Sequence, residues 1–87
     1  MLRIQRTIEG VLTALTVSGR LDAGNISELR EAIDTLPEGE AVVLDLADLL
    51  LADREAVLFL DDREASGRVV LRHCPPYVRR WIDERTR

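Results

Sequence analysis

Apolar side chains near the start of the chain follow the two-residue period of a strand. Leu2, Ile4 and Ile8 alternate with polar residues, and residues 11–18 (VLTALTVS) are rich in β-branched side chains. A Glu-Gly dipeptide separates the two segments and is a signal for a tight turn. The pattern therefore predicts a β-hairpin at the start of the chain.

An apolar stripe at helical spacing follows the hairpin. It consists of four residues: Ile26, Leu29, Ile33 and Leu36. This spacing is that of one face of an amphipathic helix. Asn25 and Glu28 fit the N-cap and N3 positions of a capping box. A proline and a glycine, Pro37 and Gly39, end the predicted helix.

Two short runs are apolar almost throughout, as expected for strands that are covered on both faces of a sheet. They are residues 41–46 (AVVLDL) and residues 68–72 (RVVLR). A last helix is predicted after Cys74, because the two prolines that follow suit a first helical turn. Its apolar side holds Tyr77, Val78, Trp81 and Ile82.

The segment LLLADREAVLFL between these two strands sets three charged residues between apolar ones. We interpret residues 47–52 as a loop and Asp53 as the N-cap of a second helix, since a carboxylate there accepts otherwise unpaired backbone N–H groups. Glu55 in the first turn is favoured by the helix dipole. Arg54 has neither role, and the helix start leaves it unexplained.

The predicted order of elements is β-β-α-β-α-β-α, an α/β fold with a mixed four-stranded sheet and its helices packed on one side. Eighty-seven residues make a single domain, residues 1–87, because a chain this short has room for one core. We expect that core to collect apolar residues from strands and helices alike: Ile33, Leu44, Leu46, Val57, Leu60, Val70 and Trp81.

Composition narrows the class of protein. With 46% hydrophobic and 32% charged residues the chain is globular, and no apolar run approaches the ~20 residues that span a bilayer. The first ten residues contain no apolar h-region, so we expect no signal peptide, and a single cysteine excludes an internal disulfide. We expect a cytoplasmic protein with no membrane association. All basic residues are Arg, which is typical of a GC-rich bacterial genome.

The net charge of −4 is unevenly divided along the chain. Residues 1–67 hold six Arg and fourteen acids, whereas residues 68–87 hold six Arg and two acids. The basic C-terminal face is either a solvated helix face with internal ion pairs or a protein-contact surface, and comprises Arg72, Arg79, Arg80, Arg85 and Arg87. Nucleic-acid binding would need a larger positive field and aromatic stacking platforms, so we expect none.

Two groups of residues invite a chemical interpretation. Asp45, Asp48 and Asp53 surround the carboxyl end of a buried strand and could hold Mg²⁺ or Ca²⁺, as in a ligand-binding domain or an enzyme. We favour the alternative that they cap a turn and a helix and accept from loop amides, because no Gly-rich phosphate loop or lysine accompanies them. His73 and Cys74 are adjacent and point to opposite faces, so we expect no nucleophile–base pair. We therefore expect no catalytic residue, metal or cofactor.

Three local strings occur in order along the chain: VSGRLD at residues 17–22, VVLDLADL at 42–49 and CPPYVRRW at 74–81. Together with the order of elements they resemble the STAS domain family, which includes anti-sigma factor antagonists and the cytoplasmic domains of sulphate transporters. The resemblance covers the chain from about Leu2 to Ile82. It implies a small STAS-like fold and a non-enzymatic protein-interaction module in bacterial transcription regulation.

In the family's regulators, a partner anti-sigma kinase phosphorylates a serine in the loop after the third strand. The resemblance places Asp53 at the family's aspartate and Arg54 at the phosphoacceptor position, where an arginine offers no hydroxyl. It implies a protein partner, such as an anti-sigma factor of the serine-kinase kind, and a contact that phosphorylation does not switch at this position. Self-association is a third interpretation.

An exposed apolar residue would mark the same contact. Three successive leucines precede the charged triplet, and they cannot all face one core because successive side chains of an extended segment alternate. We therefore expect a partner-binding surface at Leu50, Asp53, Arg54 and Glu55.

Overall fold

The computed structural model describes residues 1–37 and 39–85, and these form an α/β fold with one mixed five-stranded sheet and three helices on one face of it. In chain order the elements are β1 (Leu2–Glu9), β2 (Leu12–Leu21), α1 (Ile26–Asp34), β3 (Val42–Asp45), β4 (Leu49–Ala52), α2 (Arg54–Ala65), β5 (Val69–Arg72) and α3 (Pro76–Arg85). None of the described helices is long and apolar enough to cross a membrane.

β2 organises the sheet. It is antiparallel to β1 on one edge and parallel to β3 and β4 on the other. β3 and β4 follow one another along that second edge, because Thr13–Thr16 pair with β3 and Gly19–Leu21 pair with β4. β5 pairs in parallel with β3 and extends the sheet on that side.

The predicted sheet of four strands is wrong by one strand, because residues 49–52 pair with β2 instead of forming a loop. β2 has ten residues and β3 has four, so the edge of β2 beyond Thr16 has room for a second parallel strand. A turn, in which the N–H of Leu49 donates to the carbonyl of Leu46 (3.1 Å), returns the chain to this edge. Leu49 and Ala52 are buried and anchor β4.

The predicted hairpin of β1 and β2 is confirmed. Gly10 in its two-residue turn has a φ of 65°, a left-handed conformation that glycine adopts without strain. Gly19, further along β2, also has a positive φ of 89°, and a Cβ there would collide with the carbonyl oxygen of Met1. The start of β1 can therefore pass this close to β2 only beside a glycine.

The core lies between the sheet and the helices. Five of the residues predicted for it are fully buried: Ile33, Leu44, Leu46, Val57 and Leu60. Two predictions are wrong, since the exposed fraction of Val70 is 54% and that of Trp81 is 38%. Val70 alternates with the buried Val69 and points to the helix-free face, which the prediction of strands covered on both faces overlooked. On α3 only Val78 and Ile82 reach the core, so Trp81 lies beside the buried stripe.

The predicted capping box at the start of α1 is wrong. The side chain of Asn25 makes no hydrogen bond to the first turn of the helix. Its Nδ2 instead donates to the carbonyl of Arg20 (2.8 Å), and its Oδ1 accepts from the N–H of Asp22 (2.8 Å). Asn25 thus holds the loop between β2 and α1 in shape, because an amide can donate and accept at once.

Arg68 closes the other end of α1, which ends at Asp34, before the last residue of the predicted stripe. The Nη2 atom of Arg68 donates to the carbonyls of Ile33, Leu36 and Pro37 at 3.4, 3.0 and 3.1 Å. Carbonyls at a helix C-terminus have no partner within the helix, so a guanidinium that binds several of them stabilises that end. It also joins α1 to the start of β5.

The two adjacent valines of β5 allow a direct test of the one-sided core. Val69→Ala should lower the free energy of unfolding by about 2 kcal/mol, because it removes two buried methyl groups and leaves a cavity. Val70→Ala should change it by well under about 1 kcal/mol, because that side chain is half exposed. Urea unfolding of both variants measures the difference, and equal losses would contradict the assignment of faces.

Candidate functional site

The junction between β4 and α2 exposes apolar and charged side chains that lie close together in the sequence. In β4, Leu49 and Ala52 are buried, whereas Leu50 is 78% exposed and Leu51 is also exposed. In the first turn of α2, Arg54 and Glu55 are both exposed. We call Leu50, Leu51, Arg54 and Glu55 the junction surface. Three of the four residues predicted for partner binding are thus exposed in the structure.

Asp53, the fourth, is mainly a structural residue. Its Oδ1 accepts from the N–H of Ala56 (2.9 Å), which is the predicted N-cap of α2. Its Oδ2 accepts from the N–H of Ala23 (3.1 Å) in the loop before α1, and its own N–H donates to the carbonyl of Leu21 (3.2 Å) at the end of β2. Loss of an N-cap alone costs about 0.5–2 kcal/mol. Asp53 therefore holds the start of α2 against two other segments.

Arg54 takes no part in this cap and faces outward. With Val57, Leu58, Trp81 and Arg85 it lines a small cavity of about 150 Å³ between α2 and α3. A cavity of this size accommodates one side chain of another molecule rather than a cofactor, since small-molecule sites are usually larger. The lining of the cavity combines apolar side chains with two guanidinium groups.

Sequence reasoning missed Leu51 and two aromatic residues of α3 as parts of this region. The hydroxyl of Tyr77 accepts from the N–H of Ala52 (3.0 Å), which ties α3 to β4. Tyr77 and Trp81 remain partly exposed. The signal was present, because these two residues are spaced i, i+4 and form a second stripe beside the buried Val78 and Ile82.

The three aspartates of the alternative metal site serve separate purposes. Asp53 caps α2, whereas Asp45 lies on the helix-free face and its Oδ1 accepts from the N–H of Ala47 (3.0 Å). Asp48 uses its main-chain carbonyl to accept from Gly19 (3.2 Å). Within residues 1–37 and 39–85, no three acidic, histidine or cysteine residues group as metal ligands would. No observation favours a metal here.

Asp45 instead belongs to an ion-pair network on the helix-free face. Arg72 binds Glu9 with two hydrogen bonds (3.2 and 2.9 Å), and its Nε lies 3.5 Å from Asp45 Oδ2. His73 Nδ1 lies 3.1 Å from Asp45 Oδ1. Partial burial raises the pKa of Asp45, but the Ala47 N–H, His73 and Arg72 outweigh it, so the pKa lies below its ordinary value.

This network joins the two outer strands of the strand order β1-β2-β3-β5. Glu9 is in β1 and Arg72 is in β5, with β2 and β3 between them. The strands must therefore twist enough to bring diagonal corners of the sheet together. Ala14 and Val43 lie on the helix-free face between these corners and are buried there. On this face, arginine therefore provides part of the covering that the helices provide on the other face.

His73 and Cys74 form no catalytic pair in the structure. His73 adopts a positive φ of 55°, a conformation that ends β5, and its ring is directed to Asp45. Cys74 is half-buried and packs against the core, and burial raises the pKa of its thiol. A raised pKa disfavours the nucleophilic thiolate. The contacts of these two residues are therefore structural ones, with Asp45 for His73 and with the core for Cys74.

The basic C-terminal segment is largely neutralised within the molecule. Arg79 makes two hydrogen bonds to Glu64 of α2 (2.9 and 2.7 Å), and Arg85 binds Asp61 (3.1 Å). Arg80 forms only an exposed i, i+4 pair with Glu84 at 3.8 Å. Arg87, also predicted for this face, lies outside the described residues. The ion pairs favour the solvated-face interpretation over that of a separate contact surface.

Models of known protein families and curated proteins were compared with the sequence, and neither comparison gives a match. An account of function therefore depends on the geometry of the chain's own residues, above all on the junction surface.

The Arg79–Glu64 pair leads to a pH-dependent prediction. The hydrogen bond from Arg79 lowers the pKa of Glu64, so the pair contributes stability above the unfolded value of about 4.3 and loses it as pH falls through the lower folded value. Since both side chains are about one third exposed, Arg79→Ala should cost about 1 kcal/mol at pH 7. Its deficit should shrink below about pH 4.

Arg80→Ala is the matched control, because Arg80 is the neighbouring arginine of the same helix and is highly exposed. It should cost at most a few tenths of a kcal/mol, roughly the value of an exposed helix pair. Thermal melts between pH 3 and pH 7 measure both variants. A pH-independent deficit for Arg79→Ala would show that lost packing, and not the ion pair, causes the destabilisation.

Proposed function

We propose that this chain is a non-enzymatic protein-interaction module of bacterial transcription regulation, acting in the cytoplasm like an anti-sigma factor antagonist of the STAS kind. Its partner is an anti-sigma factor of the serine-kinase class. The single observation that carries the proposal is the junction surface, where Leu50 is 78% exposed immediately before a rigidly capped helix. Large apolar side chains exposed beside charged ones are typical of protein contacts.

The arrangement of the junction surface favours a protein partner over a small ligand. The adjacent cavity is small, at about 150 Å³, and its lining includes Arg54 and Arg85. Arginine and tryptophan are enriched among the residues that dominate binding energy at protein interfaces. A partner that inserts one apolar or aromatic side chain beside Trp81 and presents a carboxylate to Arg54 would complement this region.

In this proposal the contact can always bind its partner, because it lacks the phosphorylation switch that the family resemblance implies. Arg54 occupies the acceptor position, and residues 47–60 contain no Ser, Thr or Tyr. A phosphorylated serine would bring about two negative charges to this helix start, whereas Arg54 brings one positive charge. In this proposal, regulation acts through the amount of protein or through its partner.

A substitution in the junction surface tests the proposal when the anti-sigma factor has been purified. Leu50→Asp should weaken binding by about tenfold or more, because it places a charge in an apolar contact. Arg54→Ala should reduce affinity by a smaller factor, with a slower association or a faster dissociation depending on how deeply the charge is buried. Binding kinetics and thermal melts of the same preparations measure both effects.

Val70→Asp is the matched control, since Val70 is an exposed apolar residue on the helix-free face. It should leave the affinity unchanged. Should Val70→Asp weaken binding as much as Leu50→Asp does, or should neither variant affect binding, the contact lies elsewhere and the proposal fails.

A further inference from the structure

β1 is the longest free edge of the sheet. It has eight residues and pairs with β2 on one side, and no other described strand pairs with it. From Gln5 to Glu9 every residue of β1 is exposed. A long unpaired edge is a template for the addition of another strand, and proteins usually shorten or cover such edges. This edge is not short, and within residues 1–37 and 39–85 no strand covers it.

Alternation along β1 determines which backbone groups are unpaired. The carbonyl of Met1 accepts from the N–H of Arg20, so Met1 directs its groups toward β2. Bonded residues alternate in an antiparallel pair, and the odd-numbered residues of β1 therefore exchange hydrogen bonds with β2. The even-numbered residues direct their N–H and C=O groups outward: Leu2, Ile4, Arg6 and Ile8.

We propose that two copies of this chain pair antiparallel through the outer edges of β1, with Gln5 facing the partner's Gln5 across a two-fold axis. In this register Leu2 faces the partner's Ile8, and Ile4 faces the partner's Arg6. All four outward residues of each strand then form hydrogen-bonded pairs. The five-stranded sheet of each copy becomes half of a continuous ten-stranded sheet.

Charge and strand length select this register over its two nearest competitors. Moving the axis to Arg6 would place Arg6 directly opposite the partner's Arg6, and like charges directly opposite are destabilising. Moving the axis to Ile4 would leave Ile8 with no opposite residue in the partner's β1. In the proposed register Arg6 faces an apolar residue. Arg3 lies diagonal to the partner's Glu9, within reach of a long side chain. The side chain of Glu9 is 44% exposed and can accept from Arg3 as well as from Arg72.

The exposed apolar side chains of β1 favour a second copy of this chain as the molecule that pairs with its edge. Ile8 is 67% exposed on the helix side of the sheet, beyond the area that the helices cover. Leu2 and Ile4 on the same side are only partly buried. Pairing in this register sets Leu2 of one copy against Ile8 of the other, twice by symmetry, so the edge is complementary to itself as a two-fold interface requires.

Proline at position 6 tests the pairing without breaking the hairpin. Arg6→Pro removes an outward N–H, and edge strands tolerate proline at such positions. It should weaken dimerisation by about tenfold or more, because each copy loses one intermolecular hydrogen bond and the bonds occur in pairs. Arg6→Ala keeps the N–H and should remain dimeric. Sedimentation measures both variants, and circular dichroism verifies that each is folded.

The expected result for the natural chain is twice the mass of one copy. A mass of one copy at all concentrations would overturn the proposal, and so would an Arg6→Pro variant that stays dimeric. This test needs no partner protein, and its outcome leaves the proposed role of the junction surface unaffected.

Cross-linking tests the register. In a Cys74→Ala background, Gln5→Cys should form a disulfide-linked dimer on mild oxidation, since directly opposed residues of a non-hydrogen-bonded pair have Cα atoms about 4.5 Å apart. Thr7→Cys lies on the same face two residues away and should not cross-link to itself. Cross-linking of Thr7→Cys, or of Arg6→Cys in place of Gln5→Cys, would overturn the register.

Discussion

The carboxylate of Asp53 is the constraint on which the junction surface depends. One oxygen caps α2, the other accepts from the loop before α1, and the main chain of the same residue donates to the end of β2. A carboxylate can do this because it has two acceptor oxygens, whereas an amide has one. The direction in which Arg54 and Glu55 leave the helix is therefore determined by the sheet. A surface held in this way loses little conformational freedom on binding.

Three arginines carry out much of the remaining cross-linking between elements. Arg68 binds the end of α1, Arg79 joins α3 to α2, and Arg72 joins β5 to β1. Each contact uses the planar, multi-donor guanidinium group, which lysine could not replace. The arginine-rich C-terminal segment is accordingly explained by contacts within the chain. Arg54 is exposed at the junction surface and serves none of these contacts.

Periodicity predicted the elements whose faces differ clearly. The strand β1, the stripe of α1 as far as Ile33 and the cap of α2 are confirmed, because each depends on local spacing or on one side chain. The positions of the other features depend on tertiary contacts, which the sequence pattern does not show. β4 was missed because its pairing depends on the unequal lengths of β2 and β3. Val70 was misplaced because an apolar strand does not reveal that only one face of the sheet is covered.

The candidate site was predicted only in outline, because local signals were visible in the sequence and tertiary contacts were not. Sequence reasoning found Leu50, Arg54 and Glu55 from a break in the apolar pattern, which is a local signal. It missed Tyr77 and Trp81, because their approach to β4 and α2 is a property of the packed fold. It also predicted one hydrogen bond of the Asp53 carboxylate, the cap, where the structure shows two, since the bond to Ala23 joins residues thirty positions apart.

The central claim is that both oxygens of Asp53 hold the junction, and amide hydrogen exchange of Asp53→Asn tests it most directly. The asparagine keeps one acceptor oxygen, so the amide of Ala56 should stay protected while that of Ala23 exchanges faster than in the natural chain. In Asp53→Ala both amides should lose protection, and the amides of β2 should be unaffected. If Ala23 and Ala56 are as protected in Asp53→Ala as in the natural chain, Asp53 does not hold the junction and the account is contradicted.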